Sequence, residues 1–340
     1  MTVRDLRWPL AGTAAGLLLA LLLGGPGALV LVVILAVLEI SLSFDNAVVN
    51  AKVIERMSPH WRRMFLTVGI AVAVFGMRLV FPLLIVGVTA RLTPAEALAL
   101  ALSDPAEYGV RLHEAHPLIA AFGGMFLFMI FLDFVFEDRQ FKWLVWLERP
   151  LARIGKLDQL SVVVALAVLL TAARVFAAPP SVVVAGVLGI MTYLLVNGLG
   201  ELFQADGVAA AGKAGFFLFL YLEVLDASFS FDGVIGAFAI SHDLFLITLG
   251  LGIGAVYIRS FTIFLVRRGT LGEYVYLEHG AHWAIGALAG IMLLSLGLEI
   301  PEMVTGLIGL AFIGTSMASS AGRNRRAGER VEESSGAAAG

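Results

Sequence analysis

The 340-residue chain contains no cysteine. That excludes disulfides, thiolate metal sites and thiol nucleophiles, and leaves the redox compartment undetermined. Charge is scarce too: 14% of residues are charged, against roughly 25% in a soluble domain. The sequence has no Gly-rich phosphate loop, nucleophile elbow or zinc motif, and its basic residues mark no nucleic-acid surface. Without an ATP motif, any transport must be driven by a gradient or a partner. What the chain has in abundance is apolar residues, 59% of the total with a mean hydropathy of +0.93, in long blocks. That pattern predicts an all-α polytopic membrane protein.

Ten apolar segments are expected to span the bilayer, at about 8–24, 28–50, 64–88, 117–136, 161–178, 181–200, 214–240, 244–266, 282–299 and 303–318. They lack the alternation of barrel strands, and in lipid a helix satisfies its own backbone. Arg4 and Arg7 before an apolar run resemble a signal sequence, but no small-residue cleavage site follows, so the first helix is read as retained. With the N-terminus in the cytoplasm, most of the 23 Lys and Arg fall in cytoplasmic segments. The opposite side then holds only Arg91, Arg111 and Arg174, while Arg78 and Arg259 lie inside helices. Both termini are therefore expected to be cytoplasmic. Residues 137–160 read as an amphipathic linker with Trp143 and Trp146 at the interface, and 319–340 as a disordered tail.

The chain repeats itself. "LEISLSFDNA" (38–47) lies over "LDASFSFDGV" (225–234), matching Glu39 with Asp226, Ser41 with Ser228, Ser43 with Ser230 and Asp45 with Asp232. Further blocks match in the same order: Arg78 with Arg259, His113 with His279, His116 with His282, and Asp133 with Glu299. This indicates an internal duplication. The halves are 1–136 plus a fifth helix at 161–178, and 181–318. Five helices in each half put the second copy in the membrane upside down. Inverted repeats place a substrate site at their interface, near the midplane.

An acid at the centre of a membrane helix costs about 2.5–3.5 kcal/mol on insertion scales. The chain has seven in its apolar segments: Glu39, Asp45, Asp133, Glu223, Asp226, Asp232 and Glu299. Arg78 and Arg259 can neutralise two, so the surplus points to a cation or proton site. Carboxylate, hydroxyl and amide oxygens suit Mn²⁺, Mg²⁺ or Ca²⁺, and suit a proton equally. Glu39 and Asp45 are six apart, about 120° around a regular helix, so either the helix is irregular between them and both reach one ion, or each faces a different partner within the bundle. Asn46 and Gly233, directly after the aspartates, are the expected places of unwinding. Glu223 matches Ala36 and has no counterpart in the first copy. Asp133 and Glu299 lie near helix ends, and the four matched histidines at the interfaces.

The phrases "LEISLSFDNAVV" and "LDASFSFDGVIGAFAI" resemble the TerC integral membrane family, and more closely a domain-of-unknown-function branch of that superfamily, over about residues 28–318. The resemblance implies two inverted bundles and a role in metal handling; several members look like manganese exporters of bacterial plasma membranes. Carried over by motif, the metal-binding residues are Glu39, Asp45, Asn46, Asp226 and Asp232; Ser41, Ser228, Arg78, Arg259, Glu223, Asp133 and Glu299 are expected to support them. The expectation is a non-enzymatic transporter exporting a divalent cation as its substrate, without cofactor, by proton exchange. Two other readings stay open: an intramembrane aspartyl hydrolase using Asp45 and Asp232, and a membrane scaffold or insertion partner.

Overall fold

The computed structural model describes residues 3–157, 159–203, 212–241, 243–268 and 273–338. For residues 3–8, 45, 201, 231–232, 239, 268, 302–303 and 326–338 it describes the backbone alone. Among the described residues all regular structure is helical. The first part of the chain forms α1 (Val3–Leu42), α2 (Phe44–Glu55), α3 (Pro59–Leu66), α4 (Val68–Ala71), a π-helical segment (Val72–Val80), α5 (Phe81–Ala90), α6 (Pro94–Ser103) and α7 (Pro105–Phe136). There follow α8 (Val145–Ile154), α9 (Leu160–Val175), α10 (Pro180–Leu202), α11 (Gly212–Ile240), α12 (Leu244–Arg268), α13 (Leu277–Leu294) and α14 (Glu302–Ala338).

Seven helical stretches are long and apolar enough to cross a membrane among the described residues, which is compatible with a multi-pass membrane protein. The segments expected at 8–24 and 28–50 fall in one of these, Pro9–Leu42, which is broken at Gly25 (φ 70°, ψ −165°) with Pro26 next to it. The chain folds back there. Thr13 reaches Tyr257, Gly16 lies against Leu249 and Ile253, and Leu35 lies against Gly250. Gly16 and Leu35 would be about 28 Å apart on a straight helix, so both can touch one short stretch of α12 only if the chain reverses. The segments expected at 161–178 and 282–299 correspond to α9 and α13, which fall outside the seven.

In lipid no hydrophobic force drives helices together, so close packing must do it. α7 is the most buried span and packs against α10, α11 and α13. At one end of the layer Lys52 and Arg139 both bind Glu278, at 3.2 and 2.9 Å. At the other end of α7 Arg111 pairs with Glu107 and Glu114.

The linker is docked rather than free. Glu148 of α8 is buried and accepts from the backbone N–H of Trp143 and Leu144 and from Trp283 Nε1, with His279 Nδ1 3.1 Å away. Burial raises its pKa, but the bonds with His279 and Trp283 outweigh this and hold the carboxyl below the ordinary glutamate value. Trp143 Nε1 donates to Ser319 Oγ, while Trp146 is exposed, as an interfacial side chain would be. The backbone is helical through Ala338 as part of α14, and Asn324 Nδ2 donates to the Glu273 carbonyl. Low apolar content did not prevent a helix that continues a spanning one.

A Cβ at Gly250 would lie 2.5 Å from Leu35 Cβ and 3.1 Å from the Val32 carbonyl. Gly250→Ala must therefore push α1 from α12, lowering stability by about 1–3 kcal/mol. Thermal unfolding in detergent measures this, and an unchanged midpoint would contradict the packing described.

Candidate functional site

The helix is irregular between Glu39 and Asp45. α1 ends at Leu42, Ser43 leaves the helical region (φ −101°, ψ 12°), and α2 starts at Phe44. The break falls at Ser43 and not at Asn46, which sits inside α2. The second copy has no such break, since α11 runs from Gly212 through Ile240.

Glu39 and its counterpart Asp226 are each bound by one of the two matched arginines. Glu39 forms a buried ion pair with Arg78, which is carried on the π-helical segment. Such segments occur mostly as local insertions at functional positions. Ser43 Oγ donates to Glu39 Oε1 at 3.0 Å. In the second copy Arg259 pairs with Asp226 and also binds Glu223, with Nη1–Oε1 3.1 Å and Nη2–Oε2 3.2 Å. Arg259 donates to the Phe65 carbonyl at 3.1 Å and lies 4.2 Å from the centre of the Phe65 ring. All five charged residues are between 2% and 7% exposed. Glu223, without counterpart in the first copy, therefore shares one guanidinium with Asp226.

The two halves interlock at Asp226. Its Oδ1 accepts from Asn46 Nδ2 at 2.8 Å and from Asn50 Nδ2 at 2.7 Å, both on α2. Residues four apart share a helix face. Asn50 was missed in the sequence, although its i, i+4 relation to Asn46 was the available signal.

Gly233 stands where Asn46 stands in the first copy, and the structure gives a steric reason. A Cβ at Gly233 would lie 3.2 Å from Glu39 Oε2, and one at Gly254 would lie 2.5 Å from Glu39 Cβ. Glutamate is one methylene longer than aspartate. In one copy a short acid meets a long amide; in the other a long acid occupies the space over glycine. The departure from symmetry is thus a matched exchange of volume.

Other expected residues are placed elsewhere. Ser41 is exposed and donates to the Val37 carbonyl, so Ser43 takes the position beside Glu39. Ser228 spends its hydroxyl on the Val224 carbonyl and faces Gly123 of α7, about 200° around the helix from Asp226. Ser230, four residues after Asp226, is buried, and its hydroxyl has no hydrogen-bond partner among the described residues. Asp133 accepts from Tyr193 O–H at 2.6 Å near the end of α7, and Glu299 is exposed in the connector after α13. Neither joins the central acids. The backbones of Asp45 and Asp232 lie in α2 and α11, but their side chains are outside the described set. Among the described residues no three His, Asp or Glu side chains are gathered so as to hold a metal ion.

The profile of a family described as a protein of unknown function, DUF475, matches residues 44–327. The chain belongs to this family. Its matched region takes in Asp45, Arg78, Asp226, Asp232 and Arg259, and stops short of Glu39 on the N-terminal side. DUF475 is a membrane protein family. No curated protein and no solved structure matches the chain.

The volume exchange predicts strong coupling. Gly233→Asn alone should clash with Glu39 and lower stability by about 1–3 kcal/mol. Adding Glu39→Asp should recover a large part of this, with an interaction of about 0.5–3 kcal/mol across the cycle. Unfolding of the four proteins in one detergent measures it, and simple additivity would refute the steric account.

Proposed function

We propose that this chain is a secondary transporter that exports a divalent cation, with Mn²⁺ the first ion to test, through a centre shared by two inverted copies of one five-helix repeat. The observation that carries the reading is the doubled ion pair. Glu39–Arg78 and Asp226–Arg259 join residues that align between the copies, and Asn46 and Asn50 reach across from one copy to the acid of the other.

Structural need alone is a poor account of this centre. A buried ion pair replaced by well-packed apolar residues is often neutral or more stable, so such pairs are weak contributors to stability. The described centre has three buried acids against two guanidinium groups, and the repeated phrases add Asp45 and Asp232. Excess negative charge in a low-dielectric layer calls for a proton or a cation. Neutral oxygens stand close in sequence to these acids: Asn50 Oδ1 and Ser230 Oγ are buried without hydrogen-bond partners among the described residues. Oxygen donors of this kind suit a hard divalent ion.

In this scheme the arginines are tethered substitutes for the ion. Arg78 and Arg259 neutralise the acids while the centre is empty, and an arriving cation competes with them. Arg259 retains the Phe65 carbonyl and ring when it gives up a carboxylate. The acids then trade cation for proton on the return step. The TerC resemblance of the repeated phrases supports a metal as cargo, and Lys/Arg placement supports a plasma membrane orientation with both termini in the cytoplasm.

Flux in vesicles containing the purified protein tests this, with Mn²⁺, Mg²⁺ and Ca²⁺ in turn under a pH gradient. Asp45→Asn, Asp226→Asn and Asp232→Asn are each expected to abolish selective flux while leaving a folded protein. Full activity in the Asp45→Asn and Asp232→Asn proteins would remove the reading.

A further inference from the structure

Two cavities open at opposite ends of α7, and their linings correspond through the repeat. One, of about 220 Å³, is bordered by Val53 of α2, Asp133 of α7, Tyr193 and Asn197 of α10, and His282 of α13. The other, of about 630 Å³, is bordered by His116 of α7, Ile235 of α11, Ser295 just after α13, and Glu299. His116 aligns with His282 and Asp133 with Glu299, at the same offset of 166 residues. Each cavity therefore takes its histidine from one copy and its acid from the other. Exchanging the copies exchanges the cavities.

Their positions along the helices separate them by most of a bilayer. His116 and Asp133 are seventeen residues apart on α7, about 25 Å of helix, against a hydrocarbon layer of about 30 Å. On α11, Tyr221 borders the smaller cavity and Ile235 the larger, about 21 Å apart. The ion-paired acids lie between. Asp226 is five residues beyond Tyr221 and is held by Asn50, next to Val49 of the smaller cavity's lining. Glu39 lies against Gly233, two residues before Ile235 of the larger cavity. Lys52 and Arg139 also border the smaller cavity, and both are bound to Glu278.

We propose that the two cavities are repeat-related solvent ports for a hydrated divalent cation, opening to opposite faces of the membrane. The smaller leads to Asp226 and the larger to Glu39, and the two arginine–acid pairs close the path between them. This rests on the transport reading for the identity of the ion, but the sidedness of the ports can be read without any flux.

The absence of cysteine makes the natural chain a clean background for labelling. Val53→Cys and Ser295→Cys are small changes in the two linings, and Val163→Cys is a lipid-facing control on α9, where Val163 is 61% exposed. Each full-length variant is placed in sealed right-side-out and inside-out vesicles and treated with a membrane-impermeant maleimide. The expected result is that the cysteines at 53 and 295 react from one face each, and from opposite faces, while the control reacts from neither. Reaction of both from the same face overturns the proposal. So does protection of either one from both faces in a protein that a permeant maleimide still labels. Mn²⁺ flux is measured in the same vesicles. Opposite-sided labelling without wild-type flux of any divalent ion leaves the ports standing and removes the cation reading. Flux without opposite-sided labelling removes the ports alone.

Discussion

A charge in a low-dielectric layer has to meet an opposite charge, a proton or an ion, and the architecture around the centre follows from that requirement. Glu39 and Asp226 are each joined to an arginine from another helix, so α1 is tied to the π-helical segment and α11 to α12. The amides of α2 complete the shell of Asp226 and tie the first copy to the second. Removing one partner would leave a buried charge uncompensated, which is far more costly than never having built the pair. The pairs thus constrain four helices while contributing little net stability themselves.

The centre is duplicated without being symmetric. The Asp226 side has a second acid, two amides and one arginine; the Glu39 side has one acid, one serine and one arginine. The helix break at Ser43 and the π-helical segment both belong to the first copy. Steric compensation between Glu39 and Gly233 lets the copies diverge chemically while filling similar space.

The acids and arginines were legible in the sequence because charge within an apolar run is costly and so carries information. That Glu39 and Asp45 point away from each other on a regular helix was legible from the 100° step per residue. The hydroxyls of Ser41 and Ser228 bond carbonyls of their own helices, which spacing along the sequence does not register. Asn50 went unnoticed although it lies four residues after Asn46, and Glu148 because a lone acid in a short helix carries no signal until its neighbours in space are known.

By itself, the sequence determined an all-helical chain built for lipid, the duplicated phrases and the residues too costly to be incidental, since composition, periodicity and repetition are one-dimensional properties. Which arginine meets which acid, that Glu223 shares its guanidinium with Asp226, and that Gly233 makes room for Glu39 were decided only by the tertiary structure. Those facts depend on contacts between helices far apart in the chain, where distances of a few ångströms and the length of one methylene settle the outcome.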